Sequence, residues 1–344
     1  MENILEDKVI LVTGGTGSIG SEIVAHCLTQ KPRKVIVFSR DEIKHFILQK
    51  KIGDARLESV VGDTRNLRSF EGIFYKTQVD IIYHAAAMKH VVMCEDAPMQ
   101  AVETNILGTQ NVVDMALKYR VPRVTAISTD KAAYPVNVMG ATKFIAERIM
   151  LNASRLSAPG QAFSCVRFGN VANSRGSVIP ICIDNLQRHR TIEVTNYDVT
   201  RFIMTIPEAT RLVIEASEYA RGGEIFILKM KAFRLGDLME VMLDRIVPRL
   251  GIARQNIKVR VIGLVKGEKL HENLINNVES RHVYQLNDMY VIPENESALS
   301  LYPGIKKVEL KEYSSRSVPL ITRDEIEGLI VEYLQSYLAT DQII

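Results

Sequence analysis

The stretch KVILVTGGTGSIGSEIVAHCLTQ, residues 8–30, determines the fold class. It opens with a continuous apolar run, which is typical of a strand buried on both faces of a parallel sheet. Glycines follow at positions 14, 17 and 20, and apolar residues then recur at helical spacing. Such glycines allow a tight turn and let the backbone approach a pyrophosphate at the N-terminus of the next helix. Because both the strand and the helix are present, this stretch predicts the start of a dinucleotide-binding unit.

Strands and helices continue to alternate through the first half of the chain. Parallel strands joined by helices need right-handed crossovers and form a sheet covered by those helices. We therefore predict an α/β fold with a doubly wound parallel sheet of the Rossmann type. The further predicted strands are 34–39, 55–63, 80–86, 123–129 and 162–171, and the predicted helices are 18–30, 41–51, 66–77, 98–119 and 138–155.

The alternation becomes irregular after residue 172. We expect residues 1–171 to form the dinucleotide-binding domain and residues 172–344 to form mainly a smaller substrate-binding lobe. A strand at 222–230 is expected to return to the large sheet. Ligands of such sheets bind at the carboxyl ends of the strands, where the lobe would pack. The other elements predicted here are helices 209–220, 234–247 and 322–338, the last with a capping-box pattern at Thr322 and Glu325.

The composition excludes several classes of protein. Of the 344 residues, 47% are hydrophobic and 24% are charged, and the formal net charge is +3. This balance does not favour nucleic acid or an anionic membrane as a partner. No apolar run approaches the length of a membrane span, and no secretory signal pattern precedes the first strand. Four cysteines without a C-x-x-C pair and seven histidines without ligand spacing predict no metal site and a reducing, cytoplasmic location.

The end of the second predicted strand selects the dinucleotide. Ser39 and Arg40 stand where an NAD site usually has an acid, and an arginine pairs with the 2′-phosphate of NADP. The sequence therefore favours NADP, although Arg40 is alternatively an exposed side chain beside a helix cap at Asp41. Asp63 fits adenine recognition, and the small residues of HAAA (84–87) suit the nicotinamide side. The candidate cofactor contacts are Gly14, Thr16, Gly17, Ser18, Ile19, Gly20, Ser39, Arg40, Asp63, Ala85 and Ala86.

A second informative stretch is STDKAAYPVNVMGATK, residues 128–143. Asp130 and Lys131 follow the fifth strand at its carboxyl end, where such sheets carry catalytic groups. The alternative is a solvated ion pair in a loop. Lys143 lies four residues after Met139, so the two side chains share one helix face. A lysine at this place would hold the nicotinamide ribose.

With these motifs, the chain resembles the extended short-chain dehydrogenase/reductase family, and within it the UDP-N-acetylglucosamine 4,6-dehydratases. The motifs recur in order over about 260 residues, which is more specific than any one of them. They include TGGTGSIG (13–20), VFSRDE (37–42), HAAAMKHV (84–91), TNILGT (104–109), STDKA (128–132), GATK (140–143), RFGNV (167–171), GGEIF (222–226) and GEKLHE (267–272).

The resemblance implies an internal redox cycle in which a hydride leaves sugar C4 and returns at C6, with loss of water between these steps. It implies that Asp130 protonates the departing C6 hydroxyl and that Lys131 takes the C5 proton. Thr129 would hydrogen-bond the 4-oxygen, Lys143 would hold NADP, and Asn105 would support the cofactor site.

The resemblance also implies contacts to UDP-N-acetylglucosamine. The candidate substrate residues are Lys89, Asn170, Arg175, Thr200, Arg201 and Glu268. Val265-Lys266 replaces the Arg-Pro that relatives often carry before Gly-Glu, so the local diphosphate or uridine contact differs here. Relatives also self-associate, which implies a homo-oligomer, either a dimer or a hexamer.

Met139 departs from the Tyr-x-x-x-Lys pattern of the wider family, because a thioether carries no proton. Met-x-x-x-Lys members of the group are associated with retention at C5, so retention is expected here. The alternatives are a C5-inverting dehydratase, a UDP-sugar 4-epimerase and a non-catalytic NADP-binding regulator. The groups that could move the C4 proton in place of tyrosine are Lys131, Asp130, Lys143 through water, Lys89 and Tyr134.

Overall fold

The computed structural model describes residues 3–341 of the chain, in two compact units. The first unit comprises the chain up to Phe168 together with Pro207–Lys229 and Leu274–Glu312. The second unit comprises Gly169–Ile206, Met230–Asn273 and the chain from Tyr313 onward. The N-terminal part of the first unit thus ends at Phe168, close to residue 171, the boundary suggested by the sequence, and the unit takes in two later segments whose strands join its sheet.

The secondary structure consists mainly of strands and α-helices. The strands are β1 (Val9–Thr13), β2 (Lys34–Ser39), β3 (Leu57–Val61), β4 (Ile81–His84), β5 (Arg123–Thr129), β6 (Ala162–Phe168), β7 (Asn170–Val171), β8 (Thr191–Val194), β9 (Thr200–Met204), β10 (Glu224–Leu228), β11 (Lys231–Arg234), β12 (Lys258–Val261), β13 (Asn273–Ile275), β14 (Tyr284–Leu286), β15 (Met289–Pro293), β16 (Lys306–Lys307) and β17 (Tyr313–Ser314). The helices are α1 (Ser18–Thr29), α2 (Glu42–Ile52), α3 (Leu67–Phe74), α4 (Val91–Asp96), α5 (Pro98–Ala101), α6 (Gly108–Lys118), α7 (Val138–Leu156), α8 (Val178–His189), α9 (Ile206–Tyr219), α10 (Leu235–Val241), α11 (Val247–Arg249) and α12 (Arg323–Asp341).

A large sheet forms the centre of the first unit. Its parallel strands follow the order β3-β2-β1-β4-β5-β6-β10, and β15, β14 and β16 extend it antiparallel beyond β10. The predicted α/β fold on a parallel sheet is confirmed, with an antiparallel extension that makes the sheet mixed. The strand expected at 222–230 is β10, which pairs with β6.

The strand register brings the candidate site to one edge of this sheet. All five residues of β1 are buried, as its apolar sequence requires. Thr13 pairs with Phe38 of β2 on one side and with His84 of β4 on the other. Thr129 at the end of β5 pairs with Phe168 of β6. The carboxyl ends of these strands therefore meet at one edge, where the loops after them supply the candidate ligand groups.

Several predicted elements have other bounds in the structure, and three of them also change their pairing or their winding. The sixth strand ends at Phe168 rather than at residue 171, and Asn170–Val171 pairs instead with β9 in the second unit. The helix predicted at 98–119 contains a π-helical turn, Val102–Leu107, between α5 and α6. Another π-helical turn, Met242–Ile246, interrupts the helix predicted at 234–247. Hydrophobic periodicity does not separate a π-turn from an α-helix, because one extra residue shifts the pattern only locally.

The second unit has its own apolar core. β9 pairs with β7 and β11, while β8 pairs with β12. Buried residues of α8, α10 and α12 form one cluster, which includes Leu186, Met239 and Ile330. The predicted capping box begins α12: Glu325 N donates to Thr322 Oγ1, and Thr322 N donates to Glu325 Oε2. Within residues 3–341, we find no helix with both the length and the apolar character that crossing a bilayer requires.

Candidate active site

The glycine-rich turn after β1 is shaped by close backbone contacts. Gly14 has a φ of +67°, and a Cβ atom at this position would lie 2.7 Å from Ala86 N. A Cβ atom on Gly20 would lie 2.3 Å from Gly14 O. Gly17 is the N-cap of α1, and no side chain caps this helix end. The turn therefore excludes side chains and presents a helix N-terminus, which favours an anionic ligand.

The end of β2 carries a chain of hydrogen bonds that reaches the glycine-rich turn. Ser39 Oγ lies 2.8 Å from Thr16 Oγ1 and 2.9 Å from Nε2 of the buried His45. Arg40 is exposed. Asp41 caps α2 by accepting a hydrogen bond from Lys44 N at 3.1 Å. Asp41 thus caps α2 while Arg40 beside it is exposed. His45, which supports Ser39, was not predicted from the sequence.

Asp63, after β3, is already paired within the protein. Its Oδ2 accepts hydrogen bonds from Arg65 Nε at 2.9 Å and from Arg65 Nη2 at 2.6 Å. Partial burial raises the pKa of Asp63, but the hydrogen bonds and charge of Arg65 outweigh this effect and lower it. Asp63 and Arg65 line an open groove together with Asn66, Glu103 and Leu107. An adenine ring at this place would meet the ion pair rather than a lone carboxylate.

His84, the last residue of β4, is a buried link between two strands and a helix. Thr13 Oγ1 lies 2.7 Å from its Nδ1, and Thr109 Oγ1 lies 3.0 Å from its Nε2. Because the Thr109 hydroxyl donates to Asn105 O, we assign the proton of the neutral ring to Nε2. Burial, and then the positive charge of Lys143, lower the pKa of His84 to about 3. Ala85 and Ala86, which follow it, pass close to the glycine-rich turn, as the contact between Gly14 and Ala86 shows.

Asn105 lies in the π-helical turn and is almost fully buried. Its Oδ1 accepts from Met88 N at 2.8 Å, and its Nδ2 donates to Met88 O at 3.1 Å and to Thr142 Oγ1 at 3.0 Å. Both ends of the side chain thus bind the protein, which assigns Asn105 a supporting position beside α7 rather than an open contact surface.

A buried acid follows β5. Asp130 is fully buried, and its Oδ1 accepts hydrogen bonds from Thr129 Oγ1 at 2.7 Å and from Lys131 Nζ at 3.1 Å. Its Oδ2 makes no hydrogen bond within the described part of the chain. The Lys131 side chain is 19% exposed. A buried carboxylate oxygen without a partner is costly unless a ligand or a proton satisfies it. Thr129, Asp130 and Lys131 therefore form one hydrogen-bonded group at the end of β5.

Lys143 and Met139 share one face of α7 but have different surroundings. Lys143 Nζ donates to Ile127 O at 2.5 Å, and burial lowers the pKa of this lysine. Met139 is only 3% exposed and packs in an apolar cluster with Cys94 and Ala101. The residue at the usual tyrosine position thus fills space between helices, while Lys143 stays at the carboxyl end of β5.

Tyr134 and Lys89 are two of the predicted alternative carriers of the C4 proton, and they have different surroundings in the structure. The Tyr134 hydroxyl donates to Asn277 Oδ1 at 2.8 Å and accepts from Asn277 N at 2.8 Å. This hydroxyl therefore uses its proton and one lone pair in hydrogen bonds to Asn277. Lys89 is exposed after β4.

The remaining candidate substrate residues lie in the second unit. Arg201 Nη2 and Glu268 Oε1 form a largely buried ion pair at 2.7 Å. Thr200 Oγ1 lies 2.8 Å from His271 Nδ1 and hydrogen-bonds Ser315 Oγ as well. The fold thus brings Thr200, Arg201 and Glu268 together from two distant parts of the sequence. Asn170 in β7 is half-buried and Arg175 is exposed.

The first unit contains a buried network of charged residues that no sequence motif indicates. Arg167 is fully buried, and its guanidinium binds Glu147 on α7 and Glu279 at distances of 2.7–3.0 Å. Burial opposes the charged form, but the two carboxylates outweigh burial and raise the pKa of Arg167. Ser128 Oγ, one residue before Thr129, also donates to Glu147 Oε1 at 2.5 Å.

Comparison with known proteins identifies relatives that match along almost the whole chain. The crystal structure of Pen from Bacillus thuringiensis is 40% identical, with a TM-score of 0.87 over 96% of this chain and 98% of that one. An uncharacterized membrane protein of Methanocaldococcus jannaschii is 40% identical over 98% of this chain and 99% of its own length. The UDP-glucose 4-epimerase of Rickettsia conorii is 34% identical over 96% of this chain and 98% of its own length. The profile of the polysaccharide biosynthesis protein family matches residues 10–294. The chain therefore belongs to the polysaccharide biosynthesis protein family.

Proposed function

We propose that the protein is a nucleotide-sugar-modifying enzyme, and specifically a UDP-N-acetylglucosamine 4,6-dehydratase that works with NADP. The observation that carries the proposal is the buried Asp130, with one oxygen bonded to Thr129 and Lys131 and the other without a partner among the described residues. Elimination of water needs a protein acid and a protein base that act at neighbouring carbons of the sugar. In this proposal Asp130 is the acid and Lys131 is the base.

The residues after β1 and β2 fit a dinucleotide. A pyrophosphate suits the turn at Gly14 and Gly20, where a Cβ atom would collide with backbone. The exposed Arg40 suits a 2′-phosphate, and Lys143 suits the nicotinamide ribose. When bound, the nicotinamide ring supplies the acceptance and return of a hydride. In this proposal the first unit binds NADP.

Thr129 and Asp130 together replace the missing tyrosine. The Thr129 hydroxyl gives its hydrogen to Asp130 Oδ1, and its oxygen accepts a long hydrogen bond from Lys131 N at 3.5 Å. A second lone pair of this oxygen can then accept the proton of the sugar 4-hydroxyl. Passing that proton on leaves Asp130 as a carboxylic acid. A carboxylic acid is the group that the departing C6 hydroxyl needs. The proton taken at C4 can thus leave with the water from C6.

Lys131 is the base for the C5 proton, for which it must be neutral. It takes the proton from C5, and it can return one to C5 after the double bond has formed. Asp130 ends as a carboxylate and Lys131 ends neutral, so the pair is ready for the next turnover. We further propose return of the proton to the face of C5 from which it was removed, which retains the configuration at C5.

The second unit supplies groups suited to a UDP-sugar. Arg201, paired with Glu268, and the exposed Arg175 are charged groups of the kind that recognise a diphosphate and a ribose. The Rickettsia relative is named for an enzyme of a UDP-sugar, which supports this substrate class. We also propose that the enzyme is cytoplasmic and forms a homo-oligomer.

A second candidate function is UDP-sugar 4-epimerization, which the names of the 34% identical relatives favour. An epimerase oxidises and reduces the same carbon and expels no water, so it does not use an acid at C6. The Asp130–Lys131 pair favours the dehydratase over this alternative.

Incubation with UDP-N-acetylglucosamine in D₂O, followed by mass spectrometry and NMR, tests the proposal. We expect loss of one water and deuterium at C5. Asp130→Asn should reduce dehydration about 10²-fold or more and leave NADP binding intact. Asp114→Asn, an exposed acid on α6, is the matched control and should keep wild-type turnover. A C4 epimer without water loss would instead identify an epimerase, and unchanged substrate with bound NADP would indicate a regulator.

A further inference from the structure

The segment Leu274–His282, here called the brace, lies in the first unit and contacts the elements that carry the proposed catalytic residues. We propose that the brace is a positioning element that holds the Asp130–Lys131 turn and α7 in fixed register. This inference deepens the proposed function and rests on it.

Asn276 and Asn277, inside the brace, hold the backbone that follows Lys131. Asn276 Nδ2 donates to Ala133 O at 2.9 Å. The Tyr134 hydroxyl donates to Asn277 Oδ1 at 2.8 Å and accepts from Asn277 N at 2.8 Å. These three hydrogen bonds fix the second and third residues after Lys131, so the turn that begins at Asp130 has a tether from outside its own neighbourhood.

The brace also has hydrogen bonds within itself. Asn276 Oδ1 accepts from Val278 N at 2.9 Å and from Glu279 N at 2.8 Å, while Asn276 N donates to Glu279 Oε2 at 3.1 Å. Asn276 therefore uses its oxygen to stabilise the start of the short 3₁₀ helix Glu279–His282 and its amide nitrogen to hold Ala133. A support whose own rotamer is locked positions its partner more accurately than a free side chain does.

Residues on both sides of these two asparagines hold α7. Glu279 binds the buried Arg167, which binds Glu147 on α7, one helical turn after Lys143. Arg167 Nη1 also donates to Leu274 O at 2.8 Å. The brace thus contacts the turn through Asn276 and Asn277, and it contacts α7 through Arg167 and through an ion pair of 3.7 Å between Glu279 Oε1 and Arg148 Nη2. Since a buried ion pair contributes little net stability, its value here lies in fixing one arrangement.

Positioning at this level matters because proton transfer depends steeply on distance. Displacement of an acid or base by about 1 Å costs on the order of 10²-fold in rate. Loss of the hydrogen bonds between Tyr134 and Asn277 should therefore slow the chemical steps and leave ligand binding nearly unchanged, because these bonds hold the turn, whereas Lys143 on α7 keeps the support of the Arg167 network. Tyr134 is a positioning residue in this scheme, not a catalytic one.

The test compares three single substitutions in the full-length protein. Tyr134→Phe removes the two hydrogen bonds between the phenol and Asn277, and Asn277→Ala removes the side-chain acceptor of one of them. Tyr219→Phe is the matched control, because the Tyr219 hydroxyl on α9 also bonds an asparagine of the first unit, Asn287. The measurements are kcat and KM for UDP-N-acetylglucosamine, NADP affinity by calorimetry, and hydrogen exchange of the peptide that contains residues 128–136.

We expect kcat to fall about tenfold or more in Tyr134→Phe, less in Asn277→Ala, and not in Tyr219→Phe. KM and NADP affinity should stay within about twofold in all three proteins, as expected for a defect confined to the chemical step. Exchange at 128–136 should quicken in the same order as kcat falls. The proposal is overturned if Tyr134→Phe keeps wild-type kcat or wild-type exchange, or if kcat, KM and NADP affinity deteriorate together. A wild-type protein that fails to dehydrate the sugar would refute the proposed function, while the exchange result would still decide whether the brace holds the turn.

Discussion

Replacing Met139 by tyrosine restores the Tyr-x-x-x-Lys pattern and should nevertheless damage the protein. Met139 is 3% exposed and packs against Cys94 and Ala101, with Met88 and Val91 at the edge of the cluster. A phenol at this position adds volume to a filled site and carries a hydroxyl into apolar surroundings.

The magnitude follows from these two effects. Overpacking a filled core costs about 1–3 kcal/mol. A buried hydroxyl without a partner costs about 1–3 kcal/mol more. Met139→Tyr should therefore lower the free energy of unfolding by roughly 2–6 kcal/mol. Met139→Leu conserves volume and apolar character, so its cost should stay below about 1.5 kcal/mol.

Urea denaturation and turnover of both variants provide the assay. We expect Met139→Leu to keep turnover within about threefold of wild type, because in our mechanism the thioether only packs, and such swaps are well tolerated. Met139→Tyr should be less stable and no faster than wild type. A tyrosine variant that matches Met139→Leu in stability and exceeds wild type in turnover would show that this position reaches the reacting sugar, and would refute the packing argument.

Two further predictions concern charged and titratable groups. Arg40→Ala should raise the Kd for NADP about tenfold or more and leave the Kd for NAD within about twofold, since a charge-assisted bond to phosphate is lost; equal losses for both cofactors in fluorescence titration would contradict this assignment. Folded His84 stays neutral down to about pH 3, whereas an unfolded histidine binds a proton near its usual pKa of 6.5. The unfolded state therefore binds more protons between these values, and stability should fall as the pH falls through this window, by up to about 1.4 kcal/mol per pH unit. Urea denaturation at pH 4, 5 and 6 should show that the free energy of unfolding depends less steeply on pH in His84→Asn than in the wild type. Equal slopes in the two proteins would show that His84 does not cause the pH dependence.

The parallel part of the fold was predictable because each strand is a short apolar run joined to a periodic helix. β2 has its predicted range, 34–39, and β1 lies in the apolar run that opens residues 8–30. The antiparallel extension was not predicted, since β14 has only three residues and β16 only two. Strands this short contain too few residues to display a period of two, so their pairing depends on contacts made after folding.

The candidate site was predictable where it follows a strand and unpredictable where it depends on distant partners. Asp130 and Lys131 come directly after β5, and the carboxyl end of a parallel strand is where such groups are expected. Nothing in the sequence near Tyr134 indicates that its hydroxyl both donates a hydrogen bond to Asn277 and accepts one from it. The same holds for Arg167 and Glu279, which are 112 residues apart.

The brace also has a consequence for synthesis of the protein. Ala133 and Tyr134 are each held by residues 143 positions later in the chain. At roughly 5–20 residues per second, a ribosome needs about 7–30 s to add the residues between them. During that interval the turn after β5 exists without its tether, and contacts of such long sequence separation also close slowly once they are available. A nascent chain would therefore acquire a folded parallel sheet well before it acquires catalytic competence, and activity should appear only after Leu274–His282 has left the ribosome.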